Sequence, residues 1–568
     1  MKCEDFYRSE TCAVPELKIH AGFVGFNESR DGIFSDPTGN IVLVFSGECF
    51  LPDGVATLDK IARLYEREGD QMLETLNGLF CGLIIDKKRK KLLLFNDRYG
   101  MRRVYYHQSG NNFYFASEAK ALLRVLPQLR DFNPEGVADY LAFGCTLDWK
   151  TLFQGIDILP GGSAWTFEAG SCRKGKYFTP EMWESRPELP AEDYEMLLPE
   201  TFKRILPRYF EPHSQTGIAL TGGLDTRMIM ACRPENNGHT TCYTFSGNNG
   251  RTRDDLIAAR VAAASNLSHK LLRLDPDFFS NFQQFADKAV FATDGCAGIC
   301  NAHEIYFNRK ARELAPVRLT GNYGSEVLRS ISTFKPVPLS PHLFNADWRQ
   351  KIQSRGNPLA GQNTRPVTFA AFKEIPWNLY GNLSAGWCQL QFRTPYLDNE
   401  LVALACQAPA PVRKSSLPSM RVVSVNNPSL SEIPTDRGFA NKNSGLGFLS
   451  RRLLAEVTFK LDYYNNEGFP QVLASVEPIL KYASSRLGLV GTHKFLHYRS
   501  WFQNEFASYV RETTSIARQR LGNLFDPGFL ETMAGAHIDN NRNYSLEINA
   551  VLTLEAVDRL LLRSLPRD

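Results

Sequence analysis

The chain has 568 residues, a net charge of +4, 43% apolar residues and 22% charged residues. This balance excludes wholesale disorder, and the length exceeds what one hydrophobic core supports, so two or more domains are expected. No basic cluster goes beyond Lys87–Lys91 and no apolar stretch approaches the ~18 residues of a membrane span, which predicts no nucleic-acid and no membrane partner.

From about residue 16 to 180, short apolar runs alternate with turns: Ile41–Phe45, Leu79–Ile85, Leu92–Phe95, Val104–Tyr106 and Phe113–Phe115. The polar turns Lys87–Lys91 and Gln108–Asn112 read as hairpin connections, so these strands are predicted to be antiparallel, with helices Asp59–Tyr65 and Ser117–Leu123 over the sheet. A polar, proline-rich stretch, Thr179–Ala191, marks a linker. Beyond it, strand Ile218–Leu220, helix Arg227–Cys232, strand Thr241–Phe245, helix Asp255–Ser265, strand Lys270–Leu274, helix His303–Leu314 and strand Val317–Leu319 make successive βα units of a parallel sheet. From about residue 400 the pattern is helical, with amphipathic stretches at Val476–Leu487 and Ile548–Leu562. The twelve cysteines show no CxxC pair and no zinc-ligand spacing, and the polar N-terminus Met1–Glu10 lacks the apolar core of a signal peptide. Reduced thiols and a cytoplasmic location are expected.

One loop carries chemistry. Thr221-Gly222-Gly223-Leu224-Asp225-Thr226 lies between the strand Gly217–Leu220 and a helix, so it offers backbone N–H groups, two hydroxyls and a helix N-terminus to an anion, with a carboxylate placed for Mg²⁺. An ordinary turn explains the glycines but not the flanking hydroxyls and Asp225. Without the Gly-Lys-Ser/Thr of a Walker loop, the group held is a leaving pyrophosphate and the chemistry is adenylation.

This loop and the order of the domains resemble the asparagine synthetase superfamily, in which an N-type ATP-pyrophosphatase is fused to a class II glutamine amidotransferase-like domain. Phe392–Asp398 is similar to the family's Arg-x-Pro-aromatic-Leu-Asp segment, and Leu76–Phe80, Asn96–Gly100 and Ser117–Lys120 are similar to the frame of its amidotransferase fold. The resemblance implies an α/β chain with an N-terminal antiparallel αββα amidotransferase-like domain at residues 1–190. A Rossmann-like parallel-sheet ATP-pyrophosphatase domain with a helical C-terminal part would then occupy residues 200–568.

The departures concern glutamine. Class II glutaminases use an N-terminal Cys whose α-amine acts as base. Here Ala21–Gly25 is similar to their opening strand, which puts Lys18 near that position behind an N-terminal extension, and Cys3 lacks the strand context. The family's His-Arg-Gly-Pro loop is missing between Gly25 and Ile41, Ser46-Gly47-Glu48 lacks the oxyanion Asn, and Thr57 stands where an Asp would receive the glutamine amine. The domain is therefore expected to hydrolyse no glutamine, as in the β-lactam synthetase branch, which the chain is similar to in this respect.

For the synthetase domain the resemblance implies that Leu220, Thr221, Gly222, Gly223, Asp225, Thr226, Phe245, Thr320 and Gly321 hold ATP. Asp225 and Glu326 would bind Mg²⁺, Glu326 being one methylene longer than the family's Asp. Tyr323 falls where a catalytic base stands in β-lactam synthetases, although a phenol needs a partner to act as base and no Glu lies at the family's spacing. Arg437 or Lys442 would supply the cation of the family's catalytic Lys, and Asp294 would border the acceptor pocket. The expected function is an ATP-dependent ligase that adenylates a small-molecule or peptide carboxylate and joins it to an amine, with room for a homodimer. Lactam, macrolactam and simple amide products stay open, as do an asparagine synthetase using free ammonia and a non-catalytic nucleotide- or partner-binding scaffold.

Overall fold

The computed structural model describes residues 7–52, 54–210, 215–234, 240–247, 251–356, 358, 364–438 and 495–563. Cys3, Lys442 and the expected helix Val476–Leu487 lie outside the described residues.

The chain opens with a hairpin of β1 (Tyr7–Val14) and β2 (Ile19–Phe26). Then come β3 (Gly32–Ser35), β4 (Ile41–Leu51), β5 (Gly78–Asp86) and β6 (Lys91–Asn96). β7 (Tyr105–Ser109) and β8 (Asn112–Ala116) form a small sheet with Asp157–Ile158, and β9 (Ser163–Glu168) and β10 (Ser171–Lys176) rejoin the large one. The large sheet is antiparallel, in the order β10-β9-β6-β5-β4-β3, with Gly54–Val55 paired on β4.

Alternation along the central strands sorts their side chains to two faces. Leu43 and Phe45, Phe80 and Ile84, and Leu93 and Phe95 face one core, covered by Ile61 and Tyr65 of the helix Leu58–Glu68. Val42, Leu83, Ile85 and Leu94 face the other, covered by Tyr106, Phe113 and Phe115 of the small sheet. Both faces are therefore apolar, and each buried side chain of this size contributes roughly 1.5–3 kcal/mol.

The second half holds a five-stranded parallel sheet: β11 (Thr216–Ala219), β12 (Thr240–Ser246), β13 (His269–Arg273), β14 (Val317–Thr320) and β15 (Gln391–Arg393). Its order is β13-β12-β11-β14-β15. The chain runs outward from β11 to β13 and returns on the other side at β14, so the order reverses between β11 and β14, and ligands of open parallel sheets bind in the crevice at the carboxyl ends of such strands. Helices Ala507–Arg520, Pro527–Ile538 and Ser545–Val557 pack against one another beyond the sheet.

Among several contacts between the two halves, such as Arg103 with the Pro376 carbonyl and Arg355 with Asp139, the segment 393–398 gathers a buried set. Arg393 donates to both oxygens of Glu48 on β4 (2.9 and 2.5 Å). Asp398, wholly buried, accepts from Asn77 Nδ2 and from Tyr209 Oη (2.9 Å each) and lies 3.5 Å from Arg208. Asn399 N–H returns a bond to Asn77 Oδ1 (2.9 Å). Replacing Asp398 by Ala strands the Asn77 and Tyr209 donors in a dry site and leaves Arg208 to Glu400 alone, a class of change that costs about 3–5 kcal/mol. Calorimetric unfolding is expected to show a clear drop in midpoint for Asp398→Ala. Arg511→Ala, which removes an exposed pair 4.0 Å from Asp539, should shift it little.

Candidate functional site

The first loop leaves β11 and enters the helix Leu224–Ala231 through Gly223. Its polar groups close on one another. Thr221 N–H donates to Thr226 Oγ1 (3.3 Å), Gly223 N–H to Thr221 Oγ1 (3.2 Å), and Gly222 N–H to Asp254 Oδ1 (3.0 Å). The second loop follows β14 and starts the helix Gly324–Arg329, with Tyr323 in the left-handed region at φ 77°. Its glycines are required by close approach to the first loop. A Cβ at Gly321 would lie 2.8 Å from Thr226 Cγ2, and one at Gly324 would lie 2.5 Å from Asp225 Cγ.

Between the loops is a cavity of about 420 Å³. Leu220, Thr221, Gly223, Asp225, Thr226, Phe245, Thr320, Gly321, Tyr323 and Glu326 line it, and Gly222 sits in the loop behind. The sequence reading missed Asp254, Arg318 and Phe495, which also line it. Phe245 stacks on Phe307 at 4.5 Å, and the Arg318 guanidinium lies 4.7 Å from the Phe245 ring centre, held by Asn308 Oδ1 at 2.7 Å. This wall suits a planar ring. A charged residue inside the apolar run Val317-Arg318-Leu319 was the signal that could have found it.

Charge at the loop end of the cavity is arranged unexpectedly. Arg329 donates to both oxygens of Asp225 (2.7 and 2.9 Å), and Ser325 Oγ donates to Oδ2 (3.1 Å). Glu326 has no such guanidinium: burial, then the like charges of Asp225 and Glu374, push its carboxyl up to about 7. Burial and Asp436 push Asp254 up to about 7 as well. A divalent ion shared by Asp225 and Glu326 does not fit this donor set, because Asp225 is already forked by Arg329 and Glu326 is left as a single carboxylate. Among the described residues no group of three His, Cys, Asp or Glu is gathered for a metal.

Tyr323 also takes a different part from the one expected. Its hydroxyl is buried with no hydrogen-bond partner among the described residues, and burial and Glu326 drive the phenol further above its ordinary range. At neutral pH it is therefore a protonated, buried hydroxyl and not a base, whereas the Glu326 carboxyl, at about 7, can take either form.

Arg437 is exposed and is not among the described residues lining the cavity, but its neighbour Asp436 reaches the first loop, donating N–H to Gly222 O at 3.1 Å. Arg227, buried at 2% exposure, clamps the same segment by donating to the carbonyls of Ile433, Pro434 and Gly222. Burial lowers its guanidinium to about 10. Asp294 lies apart from the cavity, 4% exposed, and is corrected from substrate contact to helix cap. Its carboxylate accepts the N–H groups of Ala119 (2.8 Å) and Lys120 (3.1 Å) at the start of the helix Ala119–Val125.

In the first domain, the Gly47 N–H of the oxyanion-like segment donates to Asp31 Oδ2 (2.9 Å). Arg8 on β1 holds that loop in place, donating to the carbonyls of Phe26 and Asp31 and to Ser29 Oγ. Lys18 sits in the turn before β2, and Thr57 is an exposed residue preceding the helix Leu58–Glu68. Burial raises the thiols of Cys12, Cys49, Cys81, Cys145 and Cys172, those of Cys49 and Cys81 to about 12, so none of these is an activated nucleophile.

Residues 57–178 match the family model of the glutamine amidotransferase domain. The chain is 24% identical over 333 residues to a putative glutamine-hydrolyzing asparagine synthetase 2 of Methanocaldococcus jannaschii, covering 55% of this chain and 63% of that one. It is 23% identical over 458 residues to the glutamine-hydrolyzing asparagine synthetase 2 of Bacillus subtilis, covering 68% and 59%. The chain thus spans about three fifths of the length of these curated relatives, 63% and 59%. Among solved structures it is similar to a glutamine phosphoribosylpyrophosphate amidotransferase from B. subtilis (TM-score 0.22, 11% identity, 62% of this chain and 82% of that one). Another is the U34-tRNA thiolase NcsA from Methanococcus maripaludis (TM-score 0.20, 10% identity, 52% and 85%). Both scores are below 0.5, and the fold rests on the sheets of this chain itself. By its amidotransferase match and these relatives, the chain is similar to the asparagine synthetase superfamily.

Proposed function

We propose that the chain is an ATP-dependent ligase that adenylates a carboxylate and passes the acyl group to an amine, without a glutaminase of its own. The observation that carries this reading is the meeting of two glycine loops at the reversal point of the parallel sheet, around a cavity with an aromatic wall and a hydroxyl-rich end.

In this reading Phe245 and Arg318 take the adenine side, and Thr221, Gly222, Gly223 and Thr226 take the phosphates. Asp254 would yield the Gly222 N–H to a phosphate oxygen, exchanging one acceptor for another. Mg²⁺ is proposed only as the counter-ion that ATP carries on its own phosphates. Attack of the substrate carboxylate on the α-phosphorus releases pyrophosphate and leaves an acyl-adenylate. The amine then attacks the acyl carbon, its proton going to Glu326, and AMP departs. The amine would be ammonia, a second substrate or a group on the same molecule. Asp31 on the Gly47 N–H and the raised thiols support a first domain that hydrolyses no glutamine. A soluble intracellular setting and a homodimer remain part of the proposal. Among the described residues no helix is long and apolar enough to cross a membrane.

ATP–pyrophosphate exchange over a panel of carboxylates tests the first step. A stimulating carboxylate is expected, and Gly222→Ala should reduce exchange at least tenfold, since its Cβ would stand 2.7 Å from Asp254 Oδ1. A well-folded wild type that binds no α,β-methylene ATP would end the ligase reading. With a working substrate pair, Glu326 must be ionised to accept the proton, so turnover should climb as pH rises through about 7 and level off above it. Glu326→Gln should flatten that profile and lower the rate by about 10²–10⁴-fold. Glutamine is expected to give no glutamate above background while ammonium or an amine supports AMP release. Glutamate formation in step with AMP would show a working glutaminase.

A further inference from the structure

We propose that Arg329 is a resident counter-cation of the phosphate cradle, occupying at Asp225 the place a divalent ion would take, so that the nucleotide meets a carboxylate already neutralised by the chain. The function given to this pair rests on the nucleotide reading above; the pair itself does not.

The geometry is that of a planar fork on a carboxylate, the arrangement for which Arg is suited and Lys is not. Nη1 meets Oδ1 at 2.7 Å and Nη2 meets Oδ2 at 2.9 Å. Ser325, one turn earlier on the same short helix, braces both partners: its hydroxyl lies 2.6 Å from Nη2 and 3.1 Å from Oδ2. Ser419 Oγ touches Nη1 from the far side at 3.4 Å. The guanidinium side chain is 8% exposed and that of Asp225 is 17% exposed, so neither swings freely into solvent. Gly324 lets the carboxylate pack on the second loop's backbone, and Tyr396 Oη holds the Asp225 carbonyl at 2.7 Å. A metal on Asp225 would have to evict a buried guanidinium that keeps its charge at any physiological pH. Arginine in this position makes the charge of the cradle independent of metal supply.

The test is Mn²⁺ titration of the full chain, followed by electron paramagnetic resonance, in the absence of nucleotide. Wild type and Asp225→Asn are expected to bind Mn²⁺ alike within twofold. Arg329→Met should expose the carboxylate and bind at least tenfold more tightly than wild type, and the double variant Arg329→Met with Asp225→Asn should lose that gain. A tenfold weakening of wild-type Mn²⁺ binding by Asp225→Asn, or no gain in folded Arg329→Met, would overturn the proposal. If Arg329→Met does not fold, Arg329→Lys is read instead. Its single ammonium cannot cover both oxygens, so a gain of threefold or more is expected, and no gain overturns the idea. With no nucleotide present, failure here leaves the ligase reading standing, and failure of the exchange assay leaves this one standing.

Discussion

The buried carboxylate of Asp398 is the interaction on which the arrangement of the two halves depends. It is wholly enclosed, takes donors from both halves and stands at the end of a segment whose other side chains each hold a different part. Arg393 grips Glu48, Thr394 donates to the Asn322 carbonyl in the second loop at 2.9 Å, and Tyr396 donates to the Asp225 carbonyl in the first. A charge this deep is tolerated only when it is paired and hydrogen-bonded. Six consecutive residues therefore fix the spacing of both loops relative to each other and to the first domain.

That rigidity sets the electrostatics of the cavity. Two acids, Asp254 and Glu326, stand where burial keeps them near their titration midpoints at neutral pH, while a third, Asp225, is locked by a guanidinium. Partial protonation of the first two reduces the negative charge of the cavity wall. It also leaves Glu326 able to gain or lose a proton with little driving force in either direction, the condition under which proton transfer is most useful.

How much of this was legible in the chain depended on sequence distance. The Thr221–Thr226 loop, the alternation of strand and helix after residue 215 and the antiparallel hairpin around Lys87–Lys91 are local patterns, and they appear in the structure with boundaries within about three residues. Strand β10, Ser171–Lys176, carries almost no apolar residues and was not visible to a hydrophobic pattern, and β15, three residues long, gave no periodicity at all. The site residues that were misread have distant partners. Asp294 caps a helix that starts 175 residues earlier, and Asp225 is held by a guanidinium 104 residues later. Side-chain type and spacing cannot report such pairs, because the fold, not the local sequence, brings them together. Arg227 has partners as distant: it opens a predicted helix, and it clamps the carbonyls of Ile433 and Pro434, 206 and 207 residues later.

The Glu48–Arg393 pair has a consequence for how the first domain could change. On the reading proposed above, the segment Ser46-Gly47-Glu48 has left glutamine chemistry and entered carpentry: its amide anchors Asp31 and its carboxylate anchors the neighbouring domain. The Gly47 N–H is taken by Asp31 and both Glu48 oxygens by Arg393, so neither group is spare. Freeing the Glu48 carboxylate would loosen the joint between the halves, and freeing the Gly47 N–H would release the loop that carries Asp31. On that reading, the amide and the carboxylate could serve glutamine chemistry only by giving up the structural contacts they now make.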